Sequence, residues 1–223
     1  LQEVLHDLAI GKDKAVQRFT LIELMNVFLR VCDGVAFAHS KGVTHRDIKP
    51  ANIMVGEYGE VLVMDWGLAK IKGEKDVKAE EVVQTLRGDS NLAQTLDGSV
   101  AGTPSYMPPE QARGDIDEID HQSDVYSLGA VLYEMLALWP PYRGKSVTDV
   151  ITKVIQGELA PPDESAPDRD IPKEIAAVCM KAMAHDKEDR YANVADLSAD
   201  IRLYLEGRAV SAKEDTFTAR PSR

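Results

Sequence analysis

The sequence predicts a mostly α-helical domain that carries one small β-hairpin. Three observations predict it. Apolar residues recur with helical spacing in long segments on both sides of a polar middle. Two short β-rich runs flank a turn with two glycines, the pattern of a hairpin. With 223 residues, 44% of them hydrophobic and 28% charged, the chain can bury the core of one domain of ordinary to large size.

In TLIELMNVFLRVCDGVAFAHSKG, Leu21, Leu24, Met25, Phe28, Val31, Cys32 and Val35 form one apolar stripe. Thr20 with Glu23 reads as a capping box, and Gly42 fits the stop. The hairpin follows in NIMVGEYGEVLVMDWG, with runs at 53–55 and 61–64 around Gly56 and Gly59. From 70 to 100 the pattern dissolves into charged and polar residues, and a loop of that length in a compact domain is functional or disordered. Helical spacing returns at 124–138, then at 146–156 between Ser146 and Gly157. It continues at 172–184, opened by Pro172, and at 193–206, capped by Asn193 and ended by Gly207. The polar tail SAKEDTFTARPSR reads as a linker, so the expected division is a domain over 1–207 and a tail over 208–223.

The charge of −11 disfavours non-specific binding to nucleic acid or to an anionic membrane surface. No apolar run reaches the roughly 18 residues of a spanning helix, since LGAVLYEMLALW carries Glu134. Cys32 and Cys179 are far apart and form no CxxC pair, which fits a reduced, cytoplasmic setting. The first residue is Leu1 rather than Met, so a longer parent protein is expected.

The densest chemistry lies in THRDIKPAN, residues 44–52. Thirteen residues after its asparagine comes Asp65-Trp66-Gly67. The polar stretch then closes in GTPSYMPPE (102–110), and DVYSLG begins fourteen residues later at Asp124. Each motif alone is weak; four in this order and spacing are a strong signal. The chain resembles the protein kinase family from about residue 1 to 207, with the order of catalytic loop, magnesium aspartate and an A-P-E-like close. Lys49, two residues after Asp47, and the GT before PSY resemble serine/threonine kinases, above all the bacterial ones with eukaryotic-like catalytic domains.

That resemblance implies a kinase-like α+β fold, of which this chain is mostly the helical C-terminal lobe, and use of ATP and Mg2+. Phosphoryl transfer asks the protein for positioning and charge neutralisation more than for covalent help. By resemblance, Asp47 accepts the proton of the substrate hydroxyl and Lys49 steadies the moving phosphoryl group as a point charge. Asn52 and Asp65 supply hard oxygen ligands for magnesium, and Thr103 joins the catalytic set. His45 is expected to pack on Trp66 rather than act as a base, with Gly67 completing the magnesium motif. Arg46 resembles the arginine of kinases regulated by phosphorylation of the activation segment, here 65–110, where a phosphate would give it a bidentate partner. Thr95 is the first candidate phosphosite, with Ser99, Ser90 and Thr85 behind it. Glu110 and Arg190 resemble the family's buried ion pair, and Asp124 is expected to hold the catalytic-loop backbone. His6, His39, His121 and His185 lack metal-ligand spacing and read as surface or packing residues.

Three departures from the family pattern stand out. Trp66 replaces phenylalanine, and Pro108 replaces the alanine before Pro109-Glu110. No glycine-rich loop, strand lysine or partner glutamate occurs, and Gly11 has no GxGxxG around it. The N-terminal β lobe is therefore expected to be absent from this chain, and feeble nucleotide binding and self-association through the bared face are expected consequences. The expected partners are that lobe and a protein substrate bearing Ser or Thr. Two other readings compete: a non-enzymatic, pseudokinase-like binding module, and an aminoglycoside- or choline-type phosphotransferase. Intact Asp47, Lys49, Asn52 and Asp65 argue against the first; Lys49, GTPSYMPPE and Arg190 argue against the second.

Overall fold

The computed structural model describes residues 1–71 and 103–215, apart from the side chains of Ile71, Thr103, Glu214 and Asp215. Two short helices, α1 (Gln2–Ala9) and α2 (Asp13–Arg18), lead into the long α3 (Leu21–Ser40). The Thr20 hydroxyl accepts from the Glu23 N–H at 3.3 Å and starts α3; Gly42, at φ 74, turns the chain out of it. Met25, Phe28, Val31, Cys32 and Val35 line its inward face, fully buried.

Among the described residues, the segment after α3 holds all the strands. β1 (Val43–Thr44) precedes the loop, a 3-10 turn spans Pro50–Asn52, and β2 (Ile53–Val55) pairs antiparallel with β3 (Val61–Val63) in the register Ile53↔Val63. A second turn at Trp66–Leu68 leads to β4 (Lys70–Ile71), which returns to pair with β1. The hairpin is where the sequence puts it; the β1–β4 pair is not foreseen, since two residues per strand leave no periodic signal.

After residue 103 the chain is helical: α4 (Pro109–Arg113), α5 (His121–Ala137), α6 (Val147–Gln156), α7 (Pro162–Ser165), α8 (Lys173–Ala182), α9 (Val194–Leu205) and α10 (Ser211–Asp215). α5 is the axis of the lobe. From Ser123 to Ala137 every residue except Glu134 is buried, the mark of a helix packed on all sides. α3 and α8 lie against α5, and α9 packs on α3. No helix of the described residues is long and apolar enough to cross a membrane.

Two boundaries differ from expectation. α5 begins at His121, not at 124, because Asp120 and Ser123 form a capping box: Asp120 accepts from the Gln122 N–H and Ser123 accepts from the Asp120 N–H. The first turn is polar, so apolar spacing begins one turn late. The division at 207 also moves. Val210 and Ala212 are 1% and 3% exposed within the core cluster, and α10 packs on α8, so the folded unit runs past Gly207.

Candidate active site

The loop between β1 and β2 is held from below by one carboxylate. Asp124, fully buried in the first turn of α5, accepts from the His45 N–H through Oδ2 and from the Arg46 N–H through Oδ1, both at 2.8 Å. Arg46 adopts φ 69, the left-handed region that costs an L-residue roughly 1–2 kcal/mol. Asp124 on its N–H, and Gln111 Nε2 donating to its carbonyl at 3.2 Å, hold it there. Asp124 in turn accepts from His39 Nε2 at 2.7 Å. His39, read from sequence as surface or packing, is thus a member of this cluster. No local signal marks it, because its partner lies 85 residues away.

His45 is fully buried and its ring has one consistent arrangement. Nδ1 accepts from the Asp47 N–H at 3.2 Å, so Nε2 carries the hydrogen and donates to the Met64 carbonyl at 3.0 Å. The ring packs on Trp66 with centroids 4.4 Å apart. Trp66 itself remains 37% exposed, its N–H donating to the Val63 carbonyl at 3.0 Å. The indole is therefore anchored along one edge rather than enclosed.

Above this base two polar side chains converge on one oxygen of a third. Asn52 Nδ2 donates to Asp47 Oδ2 at 2.9 Å and to the Asp47 carbonyl at 2.8 Å, while Lys49 Nζ lies 2.8 Å from the same Oδ2. Oδ1 of Asp47 takes neither contact. The two donations also fix the Asn52 amide, because turning it over would set oxygen against oxygen; its Oδ1 therefore points away from Asp47. The Met64 N–H donates to the Asn52 carbonyl at 2.8 Å, so Asp65 follows directly on a residue tied to Asn52. Asp65 is exposed and left-handed (φ 61), a conformation a short polar side chain tolerates. A Cβ on Gly67 would come within 3.2 Å of Asp65 Oδ1, so the small residue gives that carboxylate room.

Among the described residues no group of three His, Cys, Asp or Glu is placed to hold a metal by itself. A carboxylate and an amide oxygen instead suit magnesium, which takes one or two protein oxygens and completes its shell with water and substrate phosphate. The donor set at Asn52 and Asp65 fits that ion.

Farther from the loop, Glu110 of α4 and Arg190 form a buried ion pair, and Ser123 donates to the same carboxylate at 2.8 Å. The backbone of Thr103 lies in a 3-10 turn, Thr103–Tyr106, but the placement of its side chain lies outside the described residues, as do Thr95, Ser99, Ser90 and Thr85.

Residues 3–199 match the family profile described as "Protein kinase domain". Serine/threonine-protein kinase PknD of Protochlamydia amoebophila is 42% identical over 193 residues, which is 85% of this chain and 19% of that protein. PknD of Chlamydia caviae is 36% identical over 199 residues (89% of this chain, 21% of that protein). PknD of Chlamydia pneumoniae is 35% identical over 230 residues (100% and 23%). The chain spans about a fifth of the length of these curated relatives.

Proposed function

The chain belongs to the protein kinase family, and on that premise we propose that it supplies the catalytic lobe of a serine/threonine kinase that uses ATP and Mg2+ to phosphorylate protein hydroxyls. One observation carries the reading: Asn52 and Lys49 both engage Oδ2 of Asp47, which leaves Oδ1 to face a substrate. In the proposed mechanism Asp47 takes the proton of the attacking hydroxyl. Lys49, held beside it, offers a localised positive charge to the phosphoryl group in transit. Asn52 and Asp65 would hold the magnesium ion, which would supply neutralisation of phosphate charge. Asp124 and His39 set the loop that carries Asp47, and Thr103 completes the catalytic set. Arg46 is the proposed receiver of a phosphate on the activation segment, with Thr95 and Ser99 as its candidate donors. A cytoplasmic setting is part of the same proposal.

The sequence contains no GxGxxG motif and the chain spans about a fifth of its relatives' length, so the test uses the full-length protein. It is incubated with magnesium and γ-labelled ATP in the presence of Ser-, Thr- and Tyr-containing peptide pools and of choline and an aminoglycoside. Label on serine and threonine is the expected result, reduced by roughly 10²–10⁴-fold in Asp47→Asn, the usual reach of a general base. Label on the small alcohols alone would overturn the reading in favour of a small-molecule phosphotransferase.

A further inference from the structure

The segment past Gly207 is fastened to the lobe through one acid that the proposed phosphotransfer does not use. Asp200 of α9 is 2% exposed. It accepts from the Ser211 N–H through Oδ1 at 2.9 Å; its Oδ2 accepts from the Ser211 hydroxyl at 2.8 Å, the Ala212 N–H at 3.1 Å and the Tyr191 hydroxyl at 2.7 Å. Val210 and Ala212 are buried on either side, yet Ser211 between them is exposed. Among the described residues no Lys or Arg forms an ion pair with Asp200. Its charge is balanced by neutral donors alone, three of them on Ser211 and Ala212.

We propose that Ser211 is a phosphorylation site, and that its modification releases the segment from about 208 to 215. The hydroxyl Oγ forms a bond to the γ-phosphorus of ATP, the bond from that phosphorus to the β,γ-bridging oxygen breaks, and ADP leaves. The hydroxyl proton passes to the carboxylate base of the phosphorylating kinase. The product has lost the donor that faced Asp200 and carries close to two negative charges beside a buried carboxylate that itself forms no ion pair among the described residues. Phosphate and carboxylate then compete for the same two backbone N–H groups. A helix of five residues has little dipole to favour the phosphate in place. The relaxed arrangement puts the phosphate in water and withdraws Val210 and Ala212 from the core.

The test installs phosphoserine at 211 of the full-length protein by codon reassignment, so its outcome does not depend on whether this chain is itself an active kinase. Hydrogen exchange is followed at the Ser211 and Ala212 amides, both of which are bonded to Asp200. The expected result is exchange faster by about tenfold or more than in the unmodified protein, the signature of local opening. Ser211→Ala loses the hydroxyl donor but adds no charge and keeps both amides on Asp200, so it should open less than the phosphoserine form. Phosphopeptide mapping of the protein from its native cells should find the modification. Unchanged protection in the phosphoserine form, equal opening in Ser211→Ala, or mapping that shows Ser211 unmodified while other sites carry phosphate would each overturn the proposal.

Discussion

Arg190 meets Glu110 as two parallel hydrogen bonds across 80 residues of sequence, Nη1 donating to Oε1 and Nη2 to Oε2, each at 2.9 Å. Neither side chain is more than 1% exposed. The other guanidinium hydrogens reach the Ala184, His185 and Gln122 carbonyls, and the cation lies 4.9 Å from the Tyr126 ring centroid. Burial pushes the Glu110 carboxyl upward, but the hydrogen bonds and charge of Arg190 outweigh it and hold the group below its usual range. The pair thus ties α4, at the close of the GTPSYMPPE segment, to the turn before α9.

Removing the cation exposes the burial that it offsets. Arg190→Ala should destabilise the lobe by roughly 3–5 kcal/mol at neutral pH, because a carboxylate is left buried alone. In the wild type the depressed carboxyl contributes stability above its unfolded value, near 4.3, and loses it as pH falls through the folded one. In the variant, protonation neutralises the stranded group instead. The gap in melting temperature between the two proteins should therefore narrow from pH 7 to pH 4. A negligible gap at pH 7 would show that the carboxylate finds another partner.

Asp124 presents two acceptor oxygens to two backbone donors, and an amide has only one. Asp124→Asn leaves either His45 or Arg46 with its N–H facing an NH2 group, at roughly 1–3 kcal/mol. The left-handed turn at Arg46 then loses a restraint, and the loop bearing Asp47 should drift. Backbone amide resonances of His45 and Arg46 report this directly. If both stay in place and melting is unchanged, Asp124 is not what holds the loop.

Glu134 behaves in the opposite sense from Glu110. Burial raises its carboxyl above the ordinary range, and a hydrogen bond from the Tyr106 hydroxyl only partly offsets this. A raised folded value means that stability is lost as pH climbs from the unfolded value toward the folded one. Glu134→Gln, which still accepts from Tyr106, should raise the melting temperature at pH 7 and leave it nearly unchanged at pH 4. A lower melting temperature at pH 7 would mean that the ionised form has a partner worth keeping.

Gly129 of α5 packs tightly against the C-terminal end of α8. A Cβ there would come within 2.7 Å of Met183 Cγ, 2.9 Å of Ala182 Cβ and 3.2 Å of the Ala182 backbone carbon. The methionine can yield; the backbone cannot. Gly129→Ala should cost about 1–3 kcal/mol through overpacking, despite the higher helix propensity of alanine. Denaturant unfolding measures it, and an unchanged midpoint would show that the seam can spread.

What the sequence made legible was what neighbouring residues decide. The caps at Thr20, Ser146 and Asn193 each accept from the N–H three residues on, and β2 and β3 meet across the predicted turn. The ordered motifs likewise indicated the family, because their spacing is itself a sequence property. Contacts set by distant chain were invisible. His39 carries no mark of Asp124, and nothing near Val210 and Ala212 shows that Asp200 waits for the residue between them. Polarity misled at that end: a segment that reads as linker is secured by two small apolar plugs and one buried acid.

The β1–β4 ladder has a consequence for how the loop comes apart. With Val43 opposite Ile71, the chain from 43 to 71 is closed into a ring that contains Asp47, Asn52, the hairpin and Asp65. Closing a ring of this size carries an entropic penalty set mainly by its length, and two residue pairs offer little enthalpy against it. The closure is supported from inside the ring by the hold of Asp124 on the loop and by Ile48 and Ile53, each 1% exposed in the core. The whole ring should open as one cooperative unit, with exchange rates of its amides clustered around a single opening free energy rather than graded from one end to the other.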